Sequence, residues 1–236
     1  MKKILLIIPA YNEEKNILNT YEAIIKYNGE FHSKYDVIVI NDGSRDNTEK
    51  ILMDHKIPHI RLIQNLGIGG AVQTGYIYAL RNDYDVAVQF DGDGQHDVSY
   101  VKTIVDPILN GTADMVIGSR FIHKDMDNFK SSQVRRLGIR LLSGVIAFKT
   151  KKKIYDTTSG FRAVNRDIMA YFAQHYPTEY PEPISTVEVL SKHKKVQELP
   201  VKMKAREHGK SSITLVKSIY YMINVIFSIL IMKKVK

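Results

Sequence analysis

Short apolar runs alternate with segments of helical period along most of the chain. Lys3–Ile8, Asp36–Ile40, His59–Gln64, Val86–Phe90, Met115–Gly118 and Lys195–Val201 have the length and the Ile/Val/Leu content of strands. Between them, Glu13–Tyr27, Asp46–His55, Gly69–Arg81 and Val98–Leu109 repeat apolar residues at helical spacing. Such alternation predicts an α/β protein with a Rossmann-like, mainly parallel, doubly wound sheet. In sheets of that kind ligands bind beyond the carboxyl ends of the strands. Three polar clusters fall there: Pro9-Ala10-Tyr11-Asn12-Glu13 after the first strand, Asn41-Asp42-Gly43-Ser44 after the second, and Asp91-Gly92-Asp93 after the fourth. Parallel strands place all three on one edge, which marks a site.

Two segments break the alternation. Ser131–Phe148 sets Val134, Leu137, Leu141, Leu142, Val145 and Ile146 on one helical face, with Arg135, Arg136 and Arg140 around it. Such a basic amphipathic helix either lies on a membrane surface or packs on the sheet with its basic side outward. Ile219–Met232, IYYMINVIFSILIM, is apolar but shorter than the ~20 residues that a spanning helix needs. Its tyrosines at one end and the lysine-rich tail at the other predict an interfacial or partner-binding helix. The apolar run Ile4–Ile8 ends in Pro9, too short for a secretory h-region, and reads as the first strand. One domain over 1–212, in which 119–160 is a basic acceptor- or membrane-facing segment, followed by an apolar helix over 213–236, is the organisation expected.

Composition changes this picture in two respects. With 236 residues and no cysteine, the chain has room for one large core and uses neither disulfides nor thiolate metal sites. The net charge of +9 is concentrated after position 120, which points to anionic partners: phosphates, acidic lipid headgroups or nucleic acid.

Against that basic half, VQFDGDGQHD (88–97) gathers carboxylates at a strand tip. Side chains two apart on an extended segment point the same way, so Asp91 and Asp93 repel each other unless a cation lies between them. Gly92 admits a ligand close to the backbone. Gln95 continues the register as a carbonyl ligand or a water-orienting group. An ordinary surface loop is the competing reading; oxygen ligands otherwise suit Mn2+ or Mg2+. Asp97 is placed to cap the next helix.

IPAYNEEKNI, INDGSRDNT, NLGIGGAVQTG, DGDGQHD, TTSGFRAVNRDI and VKMKAREHGKSSI follow one another here in an order that resembles the inverting family 2 glycosyltransferases of GT-A fold, above all the dolichyl-phosphate mannosyltransferase and polyprenyl-phosphate sugar synthase branch. The resemblance covers roughly residues 3–215. It implies that Pro9, Tyr11 and Glu13 line the nucleobase and ribose pocket and that Asp42 reads a base edge; Gly67, Gly69 and Gly70, which follow a strand and open a helix, read as a tight turn near the donor. Asp91, Asp93 and Gln95 match the family's metal triad, bridging Mn2+ or Mg2+ to the donor diphosphate. Arg206 and Lys210 match phosphate clamps, and Arg120 and Arg162 join the same cationic wall, an ion pair with Asp156 being the competing role for Arg162. A hydroxyl acceptor would need a base, for which Asp93, Glu179 and Glu182 are candidates; Ile184 stands where the branch often has a further acid. Expected substrates are a nucleotide sugar, with UDP-sugar favoured, and a polyprenyl phosphate, for cell-surface polysaccharide glycosylation. The expected location is peripheral, on the cytoplasmic face of the cell membrane. A small membrane-protein partner and a homo-oligomer are compatible with it.

Three rivals remain. One adds the sugar directly to a saccharide or a teichoic-acid-like polymer. Another is an anionic-lipid or nucleic-acid binding module; it leaves the acidic loop without a purpose, so no nucleic-acid partner is expected. The third, a nicotinamide enzyme, meets Val72 where the last glycine of GxGxxG should stand. His96 and His208 read as hydrogen-bonded structural histidines.

Overall fold

A computed structural model describes residues 2–122, 133–203 and 215–232. Its sheet has the strand order β3-β2-β1-β4-β6-β5-β7. The strands are β1 (Ile4–Ala10), β2 (Tyr35–Asn41), β3 (His59–Arg61), β4 (Val86–Gln89), β5 (Met115–Ser119), β6 (Arg162–Asn165) and β7 (Val196–Pro200). The helices are α1 (Ile17–Phe31), α2 (Thr48–Asp54), α3 (Gly67–Arg81), α4 (Val101–Leu109), α5 (Gln133–Thr150), α6 (Arg166–His175), α7 (Pro181–Ser191) and α8 (Leu215–Ile231).

The apolar run of β1 shows why both faces of the sheet are covered. Successive side chains of a strand point to opposite faces. Leu5 and Ile7 enter a core with Val72 and Tyr76 of α3 and Ile168 and Phe172 of α6. Leu6 and Ile8 enter a second core with Ile17 and Ile24 of α1 and Ile104 and Ile108 of α4. A strand apolar at every position is therefore the signature of a central, doubly covered strand.

The parallel pairs β1–β2, β1–β4, β2–β3 and β5–β7 bear out the mainly parallel expectation. The exception is β6, which runs antiparallel between β4 and β5. RAVN is short and opens on an arginine, so no strand signal precedes it. Two helices, α6 and α7, were likewise unexpected: α7 opens on Pro181 and Pro183, which suggest a loop but are tolerated in a first helical turn. The strand expected over His59–Gln64 pairs only over 59–61. The helix expected from Glu13 begins at Ile17, because residues 11–16 form a loop in which Asn12 takes φ 57°.

The packing expected of the basic amphipathic helix is seen: one face of it is buried against the body of the protein and the other is open. In α5, Ile139, Leu142 and Ile146 are buried while Arg140, Leu141 and Phe148 are exposed. α8 packs on α5 and α7 and sends Val225 and Ile229 into the core. Lys149 of α5 donates to the carbonyls of Leu230 (3.0 Å) and Met232, satisfying terminal acceptors that the α8 helix leaves open.

Candidate active site

The loops after β1 and β2 are stitched together by their polar residues. The Asn12 N–H donates to Ser44 Oγ (3.0 Å), the Glu13 N–H to Thr48 Oγ1 (2.9 Å), and the Arg45 N–H to Asn12 Oδ1 (2.9 Å). Pro9 is buried in β1, Tyr11 stands exposed at the rim, and Glu13 Oε2 accepts from Asn16 Nδ2 at 2.7 Å. Asp42 is buried, and its Oδ1 accepts the Leu66 N–H at 2.7 Å, so it anchors the turn into α3. Burial raises its pKa, and the Leu66 and Gly67 N–H groups oppose the rise. Gly67 makes that turn with φ 79°, a region in which other residues are strained. At Gly69 the backbone comes so near that a Cβ would sit 2.6 Å from Thr178 O.

The acidic loop leaves β4 beside these two. The Asp91 N–H donates to His96 Nδ1 (3.1 Å), and His96 Nε2 lies 3.3 Å from Asp91 Oδ2. Asp93 is buried, and its Oδ1 accepts the Gln95 N–H at 3.1 Å. Asp97 caps the following turn as expected, its Oδ1 accepting from the Ser99 N–H at 3.0 Å. Gly160, from the loop that enters β6, closes over Asp91: a Cβ there would be 2.8 Å from Oδ1 and 2.9 Å from Oδ2. Burial lowers the His96 pKa against the opposing pull of Asp91 and Asp93.

Of the two expected arginines, each has a role that strand order decides. Arg120, just past β5, grips Asp156 with Nε (2.7 Å) and Nη2 (2.8 Å), and its own N–H adds a third bond at 3.0 Å. Glu198 of β7 accepts the Asp156 and Tyr155 N–H groups at 2.8 and 2.7 Å. The ion pair with Asp156 is thus made by Arg120, which corrects the pairing considered for Arg162. Arg162 is 1% exposed, and it donates to Ser159 O, Glu182 O, Ser185 Oγ and Thr186 Oγ1. It lies opposite Gln89 in the β4–β6 pair and so stands behind the acidic loop, not on its solvent side. Burial raises the Glu182 carboxyl, with Arg162 opposing. Glu179 is exposed.

The structure therefore brings Pro9, Tyr11, Glu13, Asp42, Gly67 and Gly69 to the loops at one sheet edge, with Asp91, Asp93 and Gln95 after β4 and Arg120, Arg162 and Glu182 next to that strand tip. Arg206, Lys210 and His208 lie outside the described residues. Sequence reasoning missed Gly160 and Glu198; the glycine in TTSGF was visible, but nothing local said that it meets Asp91.

Among the described residues, no group of three or more acidic or histidine side chains forms a closed metal cage. Mg2+ takes one or two carboxylates and completes its shell with substrate phosphates and water. Asp91, whose side chain is 33% exposed, and Asp93 are oxygen donors at one strand tip, of the kind that such an ion takes together with a phosphate ligand.

The model of the family "Glycosyl transferase family 2" matches residues 5–172. Over 222 residues the chain is 32% identical to the UDP-N-acetylglucosamine--dolichyl-phosphate N-acetylglucosaminyltransferase of Methanococcus voltae, with 85% of each chain covered. It is 29% identical over 175 residues to the polyprenol monophosphomannose synthase of Mycolicibacterium smegmatis, covering 71% of this chain and 63% of that one. Among solved structures, glucosyl-3-phosphoglycerate synthase from Mycobacterium tuberculosis in complex with Mn2+, UDP-glucose and phosphoglyceric acid superposes with a TM-score of 0.74 at 18% identity, over 97% of this chain and 79% of that one. The likeness is one of fold, and it agrees with the GT-A architecture expected.

Proposed function

The chain belongs to glycosyl transferase family 2 and is a glycosyltransferase; on that premise we propose that it moves a hexose, with inversion, from a UDP-sugar to a polyprenyl phosphate at the cytoplasmic face of a membrane. The carrying observation is the placement of Asp91 and Asp93 at the tip of β4, beside the stitched loops after β1 and β2. The Methanococcus relative, named for a UDP-sugar donor and a dolichyl-phosphate acceptor, supports both substrate classes.

In this reading Tyr11 and the Pro9–Glu13 loop receive the nucleoside, and Asp42 presents its remaining oxygen to the base while its other oxygen holds the α3 turn. Asp91, Asp93 and Gln95 hold Mn2+ or Mg2+, which supplies positive charge where the departing diphosphate becomes negative. An acceptor phosphate oxygen attacks the anomeric carbon from the face opposite the leaving group; the new C–O bond forms as the bond to the nucleoside diphosphate breaks. A phosphate monoester, whose second pKa is about 6, is ionised near neutrality and needs no base. Glu182, whose backbone carbonyl accepts from Arg162, then serves to hold the wall behind Asp91. Arg206 and Lys210 clamp phosphates.

No helix among the described residues is long and apolar enough to cross a membrane. Ile223, Phe227, Leu230 and Ile231 of α8 and Leu141 and Phe148 of α5 are exposed, with Arg140 and Lys151–Lys153 nearby in the chain. That face docks on acidic lipid and brings the site to its acceptor.

The test incubates the protein with Mn2+, a panel of UDP- and GDP-sugars, and undecaprenyl phosphate. A chloroform-extractable sugar lipid is expected. No lipid product with any donor, alongside turnover on an oligosaccharide, would sink the assignment in favour of a saccharide acceptor.

A further inference from the structure

His96 does more than fill space under the acidic loop. Its imidazole is 2% exposed and touches one residue twice, at the two ends of Asp91. Nδ1 accepts the Asp91 backbone N–H at 3.1 Å. A neutral imidazole that accepts at one nitrogen carries its proton on the other. Nε2–H therefore faces Asp91 Oδ2, 3.3 Å away. The ring cannot swivel out of this arrangement, because Phe161 lies against its face (centroids 4.7 Å apart, planes at 31°) and Phe90 meets it edge-on at 5.3 Å. On the other side Gly160 presses on the same carboxylate, with no room for a side chain. The His96 backbone is itself held by an antiparallel bridge to Met203.

We propose that His96 is a positioning residue: by contacting both the backbone N–H and Oδ2 of Asp91, it fixes the rotamer in which that carboxylate would meet a divalent cation. This deepens the metal reading above and rests on it. The loop needs such a clasp. The Asp91 side chain is 33% exposed, and without a partner it would have other rotamers open to it. A ligand carboxylate that is itself hydrogen-bonded is pre-aimed, and loss of an outer-shell partner of this kind typically costs about 10–100-fold in metal affinity. A ring that served only as packing would have no reason to place both nitrogens on one residue.

Three variants and one spectroscopic measurement decide the matter. In metal-free protein labelled with 15N-histidine, the His96 resonance is identified by its loss in His96→Phe. The Nε2–H tautomer is expected at pH 7.5; the Nδ1–H tautomer would overturn the clasp without any metal being present. Mn2+ binding in the presence of UDP is then followed by electron paramagnetic resonance. His96→Phe keeps a ring between Phe90 and Phe161 but removes both nitrogens; it should melt within a few degrees of the wild type yet bind Mn2+ about 10–100-fold more weakly. His96→Asn keeps an acceptor for the Asp91 N–H and should fall between the two. Equal Mn2+ affinity in wild type and both variants overturns the inference. If the wild type itself binds no Mn2+, the metal reading fails, and the tautomer still judges the geometry around Asp91. Phe161→Leu, which loosens the stack but spares both nitrogens, should stay within about threefold of wild type; a loss as large as that of His96→Phe would assign the effect to packing and overturn the proposal.

Discussion

Arg120 and Arg162 look alike in the sequence, each at a strand end near the acidic loop, yet the fold buries them in different company. Which of them meets Asp156 depends on β5 and β6 being neighbours and on the direction of β6, and no local pattern reports either. Asp91 and Asp93 were legible for the opposite reason: two carboxylates at an apolar strand tip are a purely local anomaly. Titration away from the site shows a similar split. Glu188 of α7 has its carboxyl raised to about 7 by burial, although Lys192 and a hydrogen bond from Tyr171 pull it down. Between about 4.5 and 7 the folded state holds a proton there that the unfolded chain has released, so stability falls as pH rises through that window. Glu188→Gln should therefore gain urea resistance over the wild type at pH 8 and show little gain at pH 4.5. An equal gain at both pH values would contradict the shift.

Elements are tied together by a few buried polar links. Arg120 follows β5, Asp156 lies in the loop before β6, and Glu198 belongs to β7, so one chain of bonds ties β5, β7 and the approach to β6 together. Burial lowers the Arg120 pKa, but the carboxylates around it, Asp156 first and then Asp91 and Glu182, together raise it. Removing one partner of such a pair strands a buried charge and typically costs about 3–5 kcal/mol. Asp156→Ala should lose roughly that much in urea unfolding; a loss under about 1 kcal/mol, the worth of an exposed pair, would show that the link is dispensable. Helix and strand positions were largely readable because period and apolar content are local. The four-residue β6 and the proline-opened α7 were not, since their stability comes from neighbours: β6 has a paired strand on each side, and α7 buries Val187, Val189 and Leu190.

For the molecule as a whole, charge and exposed apolar surface point the same way. Basic residues near an acidic membrane contribute about 1 kcal/mol each and are screened by salt. Vesicles containing anionic lipid should sediment the protein, zwitterionic vesicles should not, and about 1 M salt, where the screening length is about 3 Å, should release most of it. Phe227→Glu with Ile231→Glu should abolish binding while leaving the melting temperature nearly unchanged, because both side chains are exposed, at 64% and 77%. Binding that ignores both lipid charge and these substitutions would place the contact elsewhere. Alternation of apolar runs was enough to specify an α/β sheet with its polar loops on one edge, since side-chain period is carried by the local sequence and strand–helix–strand order favours parallel pairing. The insertion of β6 against the parallel grain, the choice between two arginines, and the closure of Gly160 and His96 around Asp91 came only with the assembled fold. Those contacts join residues far apart in the chain or on opposite sides of a turn, and their energies exist only once burial has brought them together.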